Sequence, residues 1–474
     1  MKILLTGATG YIGKRLLPVL VAKGYTVICG VRDKRRFNPP ESIKEHVEAI
    51  EIDLLKPESL NSIPKDIDVA YYLVHSMTGN KEYESLELES AKNFRTAIEK
   101  TNITHLIYLS GIANAPKLSK HLDSRKQVED VLSKGSSYHS TTFRAGVIIG
   151  SGSASFEIIR DLVEKLPIMV APKWLETKSQ PICIVDVITY LSESPLVTDC
   201  YDRSFDIGGP DILTYKEMLL GCAKVRKLKR KILTVPIMTP RLSSYWLYFV
   251  TSTSFLLAQS LVEGMKVEVV CANNDIRLII PTANIAYEEA LQRAFLRIES
   301  KEVASSWKDS FSSGGLQMSI SDFIDVPTFG CFTDHQVQEI DNREKCLQKI
   351  WQIGGDHGWY CTDWLWRCRG ILDKLFGGVG LLRGRTDPDK IHTGDALDFW
   401  RVLYANREEG RLLLFAEMKL PGEAWLEFTV KGNTLYQTAT FRPKGVWGRI
   451  YWYTIYPLHF FIFPCMVSRL GKGV

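Results

Sequence analysis

The chain opens Met1-Lys2-Ile3-Leu4-Leu5-Thr6-Gly7-Ala8-Thr9-Gly10-Tyr11-Ile12-Gly13. Ile3 to Leu5 is a short apolar run that predicts a buried strand. Three glycines follow at three-residue spacing, and Arg15 to Ala22 carries the periodicity of a helix. A strand that turns sharply into a helix leaves backbone N–H groups at the helix start. Those groups, with the positive end of the helix dipole, attract a phosphate. Gly7 suits the tight turn, Gly10 a close approach of backbone to a pyrophosphate, and Gly13 the packing of helix on strand. Thr9, Tyr11 and Ile12 complete the turn and belong to the same phosphate-binding segment.

Downstream, strand-like and helical stretches alternate. Thr26 to Val31 predicts a second strand, followed directly by Arg32-Asp33-Lys34-Arg35-Arg36. In dinucleotide-binding sheets the residue at this strand end reads the ribose 2′ position. An acid suits a free hydroxyl and an arginine suits a 2′-phosphate. Arg32 stands where the phosphate would lie, which favours NADP over NAD. Asp33 is the competing acidic reader, about 20 residues past the glycines. Val47 to Ile52 predicts a third strand ending at Asp53-Leu54, where Asp53 could accept from an adenine amino group. Asp68 to Val74 predicts a fourth, and His75 follows it. A helix over Glu84 to Lys100, a strand over His105 to Ser110, the end of a helix at Val128 to Ser133 and a strand over Ser140 to Ile149 complete the pattern. Such alternation predicts a parallel sheet with right-handed crossovers. Ligands of these sheets bind beyond the carboxyl ends of the strands. Gly7, Arg32, Asp53, Val74 and Ser110 all stand at such ends, and His75 is placed to touch a nicotinamide or a substrate.

Residues 1–300 resemble the short-chain dehydrogenase/reductase superfamily, in its atypical or extended branch. TGATGYIG at the start, DL at 53–54, YLSG at 108–111 and FRAGVIIG at 143–150 carry the resemblance. Pro181 to Val187 (PICIVDV) and FDIGGPDILTYKEM from Phe205 extend it. It implies a doubly wound α/β Rossmann sheet that binds NAD or NADP, with these last two segments in a small substrate-side lobe. It further implies a Tyr proton donor, a Lys four residues later and a carbonyl-polarising Ser. Ser110 matches the Ser, but the Tyr and Lys positions fall on His121 and Arg125. Arginine can hold a ribose and a positive field, yet it is a poor proton carrier. Histidine near neutral pH can give a proton to a carbonyl oxygen. Ser110, His121 and Arg125 are therefore the candidate catalytic residues. The bland alternative for His121 is an ordinary loop histidine, in a unit that binds a dinucleotide without turning it over.

Residues 301–335 are Ser-rich at first and read as a linker. From about residue 336 the aromatics become denser, and a second domain is expected over 336–474. A helical pattern spans Cys361 to Phe376. Strand-like runs at Phe399 to Tyr404, Arg411 to Lys419, Ala424 to Val430 and Leu435 to Phe441 predict an antiparallel meander. One long helix, roughly Val446 to Arg469, closes the chain. Helix, curved sheet and final helix is the order of an α+β helix-grip, START-like fold with an apolar cavity under the helix. Alternation sets Gln437 among Leu435, Ala439 and Phe441, and Glu417 with Leu413 and Phe415. Each polar group needs a partner, which a structural hydrogen bond, solvent or a ligand could supply. Arg383 and Arg385 could stand at the cavity mouth. GGVGLLRGR, GDALDFWRV, LLLFAEMKLPGEAWLEF and QTATFRPKG resemble a C-terminal domain of unknown function fused to atypical short-chain dehydrogenases in bacteria.

Net charge is +5 over 474 residues, too slight to argue for nucleic acid. The ten cysteines show no C-x-x-C pair and no metal-ligand spacing, so no metal is expected and a reducing cytoplasm is. Two apolar segments, Tyr245 to Val262 and Val446 to Val467, qualify this. The first is short for a span, and the second holds Arg449 and two prolines. Both are expected as buried helices or cavity walls, with peripheral contact at the inner face of the membrane as the variant. The first functional reading is an NADP(H)-dependent (alternatively NAD-dependent) oxidoreductase acting on a hydrophobic carbonyl or quinone-like molecule. A dinucleotide-binding sensor or scaffold and a lipid-binding membrane-surface protein are the alternatives.

Overall fold

A computed structural model of the chain describes residues 1–34, 37, 39, 41–75, 83–116, 118–235, 262–299, 326, 331–375, 378, 380, 390–443 and 445–472. They fall in two compact units, Met1–Thr251 with Phe255–Trp307, and Lys308–Val474 with Ser252–Ser254. The apolar segment at 245–262, apart from Val262, and the Arg383 and Arg385 loop lie outside the described residues.

The first unit is built on β1 (Lys2–Thr6), α1 (Gly13–Ala22), β2 (Thr26–Val31), β3 (Val47–Glu51), β4 (Val69–Tyr72), α2 (Tyr83–Ile98), β5 (His105–Gly111), α3 (Lys120–Leu132) and β6 (His139–Ala145). It continues through α4 (Ala154–Lys165), α5 (Ile184–Glu193), β7 (Arg203–Ile207), α6 (Tyr215–Val225) and α7 (Tyr287–Glu299). Seven parallel strands lie in the order β7-β6-β5-β4-β1-β2-β3. The order reverses between β1 and β4, and that switch point opens a crevice at their carboxyl ends. Strands covered on both faces read as continuous apolar runs. Accordingly Ile3 and Leu5 enter the core on one side of the sheet, and Leu4 enters the core on the other. The expected six strands are present with ends shifted by a few residues. The Phe205 segment departs from expectation. Instead of joining a lobe, Arg203–Ile207 pairs with β6 and completes the main sheet.

The second unit holds β8 (Phe332–Glu339), α8 (Arg343–Trp351), α9 (Asp363–Leu375), β9 (Ala396–Leu397), β10 (Trp400–Asn406), β11 (Arg411–Ala416), β12 (Gly422–Lys431), β13 (Thr434–Pro443) and α10 (Gly445–Gly471). The strands form one antiparallel sheet in the order β8-β13-β12-β11-β10-β9. The meander β10 to β13 follows the sequence pattern. β8 does not, because it begins inside the stretch read as linker and pairs with the last strand, Phe332 opposite Phe441. α10 packs on β8 and β13. Its Trp452 lies flat against both Phe332 and Phe441, with ring centroids 5.4 and 5.8 Å apart.

Three expectations for this unit are corrected or sharpened. Glu417 is no ligand-orienting group: its carboxylate takes two hydrogen bonds from Arg401, at 2.8 and 3.2 Å, with both side chains fully buried. Gln437 is buried, and neither its Oε1 nor its Nε2 has a protein partner. Cys361 and Cys465, 104 residues apart, form a disulfide, so the uniformly reduced cysteines expected from spacing are not observed.

Candidate functional site

The glycine turn is shaped as its sequence requires. Gly7 takes φ +76°, and a Cβ there would stand 2.6 Å from the Leu73 carbonyl oxygen beyond β4. A Cβ on Gly13 would stand 2.3 Å from the Gly7 carbonyl oxygen, so only glycine lets α1 approach this closely. Gly10 N–H donates to Gly7 O at 2.9 Å, which closes the turn. A Cβ on Gly10 would meet only that oxygen, at 3.1 Å, and otherwise faces open space. Gly10 therefore borders the crevice, whereas Gly7 and Gly13 serve contacts within the fold. Thr9, Tyr11 and Ile12 are half-buried along the same turn.

Arg32 and Asp33 diverge at the end of β2. Arg32 is exposed and Asp33 is buried. Crowding by protein atoms lowers the Arg32 pKa, and the Asp53 carboxylate opposes that shift. Asp53 Oδ1 accepts the Leu55 N–H at 3.1 Å, and Ser59 Oγ donates to the Asp53 carbonyl at 2.9 Å. Asp53 thus shapes its own turn, with Leu54 buried behind it.

Beyond β4 and β5 a polar cluster assembles from four elements. His121 lies in the first turn of α3 rather than in a loop, and Arg125 follows one turn later on the same face. Val74 is exposed, and His75 beside it turns inward. The His75 and His121 rings lie 4.7 Å apart. His75 Nδ1 is 2.6 Å from Glu87 Oε1 of α2, and Ser124 Oγ of α3 donates to Glu87 Oε2 at 2.6 Å. The Arg125 side chain runs along Gly111, its Nη1 3.8 Å from where a Cβ on that glycine would stand. Three buried polar atoms here have no protein partner: Ser110 Oγ, His75 Nε2 and Arg125 Nε. Leaving such groups unmade costs roughly 1–3 kcal/mol each, and the Ser110 hydroxyl is close enough to Tyr108 to help draw its pKa down.

Burial lowers the His75 pKa, Arg125 adds to this, and Glu87 opposes it. His121 is pushed well below the ordinary histidine value by burial, then by His75 and Arg125. Both shifts favour the neutral imidazole. Tyr108 shares the Ser110 face of β5; burial raises its phenol to about 12 and Arg125 draws it down. The buried Tyr138 hydroxyl is used within the fold, donating to the Leu132 carbonyl at 2.6 Å.

Ser110, His121, Arg125 and His75 are thus brought together, while Arg32 and Asp53 stand at other strand ends of the same edge. Glu87, Ser124 and Tyr108 were not singled out from sequence. Only Tyr108, two residues before Ser110 and so on its face of a strand, carried a readable signal. Among the described residues no group of three or more His, Cys, Asp or Glu side chains is placed to hold a metal ion.

This turn, switch point and cluster define an NAD(P)-binding Rossmann domain. Residues 7–142 match the family model described as NAD(P)H-binding, and residues 331–466 match one described as a protein of unknown function, DUF2867. The chain thus joins an NAD(P)-binding domain to a DUF2867 domain. It is 24% identical over 255 residues to a chloroplastic divinyl chlorophyllide a 8-vinyl-reductase of Arabidopsis thaliana, covering 50% of this chain and 60% of that one. It is 23% identical over 219 residues to the mitochondrial NADH-ubiquinone oxidoreductase 40 kDa subunit of Neurospora crassa, covering 45% and 56%. The chain thus spans little more than half the length of these relatives. The structure of a nucleoside-diphosphate-sugar epimerase from Staphylococcus aureus superposes with a TM-score of 0.51 at 16% identity, over 62% of this chain and all of that one.

Proposed function

We propose that the chain is an NADP(H)-dependent oxidoreductase acting on a hydrophobic carbonyl or quinone-like substrate. The observation that carries this reading is the unmet set of Ser110 Oγ, His75 Nε2 and Arg125 Nε at the carboxyl edge that also bears the glycine cradle. The residues fit a nicotinamide dinucleotide. Gly7 to Gly13 would hold its pyrophosphate, Arg32 a 2′-phosphate, Asp53 the adenine side, and Val74 and His75 would border the nicotinamide. The bound dinucleotide supplies or accepts a hydride. Ser110 donates a hydrogen bond to the substrate oxygen, and Arg125 takes the ribose and the charge role that the family gives to lysine.

Protons are handled by His75 or His121. With Nδ1–H donated to Glu87, His75 presents Nε2 as an acceptor, which suits removal of a proton from an alcohol. In the reverse direction the imidazolium gives that proton back. Of the two, His75 has the carboxylate that fixes ring and tautomer, and the His121 ring lies 4.7 Å from it at a tilt of 59°. The second unit would hold an apolar ligand of its own. Gln437, buried between sheet and α10 with both amide atoms unmet, supports a helix-grip ligand holder.

The test is an NADPH and NADH binding titration by nicotinamide fluorescence, followed by NADPH oxidation with a panel of quinones and aldehydes. Turnover that survives wild-type-like in Ser110→Ala and in His75→Gln would remove both assignments. One observation favours a second reading, an NAD(P)-binding sensor: His121 and Arg125 stand in place of Tyr and Lys. Tight NADPH binding with no oxidation by any panel member selects it.

A further inference from the structure

We propose that the second unit docks on an anionic lipid surface through the outward stripe of α10, lying in the plane of the interface. This inference does not depend on the dinucleotide reading.

The inner face of α10 is ordinary core. Trp452, Phe463, Met466 and Leu470 are buried against the sheet. The outer face is not ordinary. Trp447, Ile450, Tyr453, Phe460 and Phe461 are 76%, 50%, 66%, 63% and 72% exposed. With Pro457 and Pro464, both exposed, they recur every three or four residues, which keeps them on one stripe over about five turns. Contiguous exposed apolar surface of this extent marks an interaction site.

α9 repeats the arrangement in the same unit. Trp364, Ile371 and Leu375 are exposed at 64%, 62% and 62% and lie on one face. The Cys361–Cys465 disulfide and a 2.8 Å hydrogen bond from Arg469 Nη1 to the Tyr360 carbonyl fasten the start of α9 to the last third of α10.

Charge selects the occupant. From Gly445 to Val474 the chain has Arg449, Arg469 and Lys472 and no Asp or Glu. A two-fold pairing of two such stripes would set arginine against arginine with no carboxylate between them. Lipid phosphates meet the cations, and Trp and Tyr favour the headgroup boundary because each ring has an apolar body and a polar tip. Trp447–Gly471 is long and apolar enough to cross a bilayer. Its opposite face, however, is buried in the unit's own core, so lipid cannot surround it and the helix lies along the surface.

The test uses the full chain with vesicles of phosphatidylcholine alone and of phosphatidylcholine with phosphatidylglycerol. The protein is expected to sediment with the anionic vesicles, with its tryptophan emission shifted to the blue. Phe460→Ser with Phe461→Ser changes only outward side chains. It should weaken partitioning at least about tenfold while far-ultraviolet circular dichroism stays unchanged. Arg449→Glu should reduce the preference for anionic vesicles. Absence of sedimentation with either vesicle overturns the proposal, as does sedimentation that the double variant leaves unchanged. A dimer that the double variant dissociates, without vesicle binding, assigns the stripe to a second copy and equally overturns it.

Discussion

Alanine at Gly10 and at Gly13 should separate cofactor binding from folding. At Gly13 the added methyl would lie 2.3 Å from Gly7 O and 2.8 Å from the Ala8 Cα. Both are backbone atoms, so α1 must move away from β1. Overpacking of this kind costs about 1–3 kcal/mol, and backbone contacts put it near the upper end. The first unit has about 300 residues. At about 2.1 cal/mol/K per residue its unfolding entropy is about 0.6 kcal/mol/K, so about 3 kcal/mol lowers Tm by about 5 °C. At Gly10 the methyl meets only Gly7 O, at 3.1 Å. A shift of a few tenths of an ångström relieves this, and the loss should stay below about 1 kcal/mol, or about 2 °C. The same methyl projects where a pyrophosphate would approach the turn. Loss of one charge-assisted hydrogen bond, worth about 1.5–3 kcal/mol, then weakens NADPH binding about tenfold or more. Thermal melts without nucleotide and fluorescence titrations with NADPH read the two effects separately. Gly10→Ala that binds NADPH like the wild type would show that this turn is not the phosphate cradle. Gly13→Ala that melts like the wild type would refute the close-packing argument.

Other consequences follow from single groups. Arg32→Ala should weaken NADPH binding while sparing NADH in parallel titrations; equal losses would remove the 2′-phosphate role. Burial first, then His139, pushes His105 down to about 4 while Asp202 opposes this, against about 6.5 unfolded. The folded state then binds fewer protons in that window, so the stability contribution is complete above about pH 6.5 and is lost as pH falls towards about 4, by about 3 kcal/mol. Urea midpoints of the wild type and His105→Gln at pH 7 and pH 4.5 should show a flatter dependence in the variant. Glu417→Gln removes the carboxylate charge from a fully buried pair with Arg401 and should lower the melting temperature of the second unit in a thermal melt. Under denaturing conditions without reductant, eight thiols should react, rising to ten after reduction.

What could be read from sequence was what neighbours along the chain decide. The glycine turn is such a feature, since strand, three glycines and helix are contiguous and their geometry follows from residue type. His121 and Arg125 are another, because the family's spacing of four points to them and the helix found there sets both on one face. Pairings across long separations left no trace. Phe332 meets Phe441 through a ladder whose strands are about a hundred residues apart, so β8 passed for linker. Arg203–Ile207 joins β6 by parallel pairing, which needs a crossover and has no local signature. The partner of Glu417 was hidden for a related reason. Alternation places a side chain on a face but is silent on the partner across the sheet, and Arg401 sits in a different strand.

The polar cluster shows the same limit where function depends on it. Ser110 and His75 could be proposed from strand ends, and His121 and Arg125 from the family resemblance. The carboxylate that distinguishes His75 from His121 could not, because Glu87 is one of several acids on α2 and only packing against α3 selects it. Ser124 then fixes the second carboxylate oxygen, leaving the first for His75 Nδ1. Replacing Glu87 by Gln should therefore release the His75 ring while leaving His121 and the glycine turn in place. If proton transfer runs through His75, that variant loses turnover with NADPH affinity intact. If it runs through His121, turnover persists and the Glu87 contact is structural.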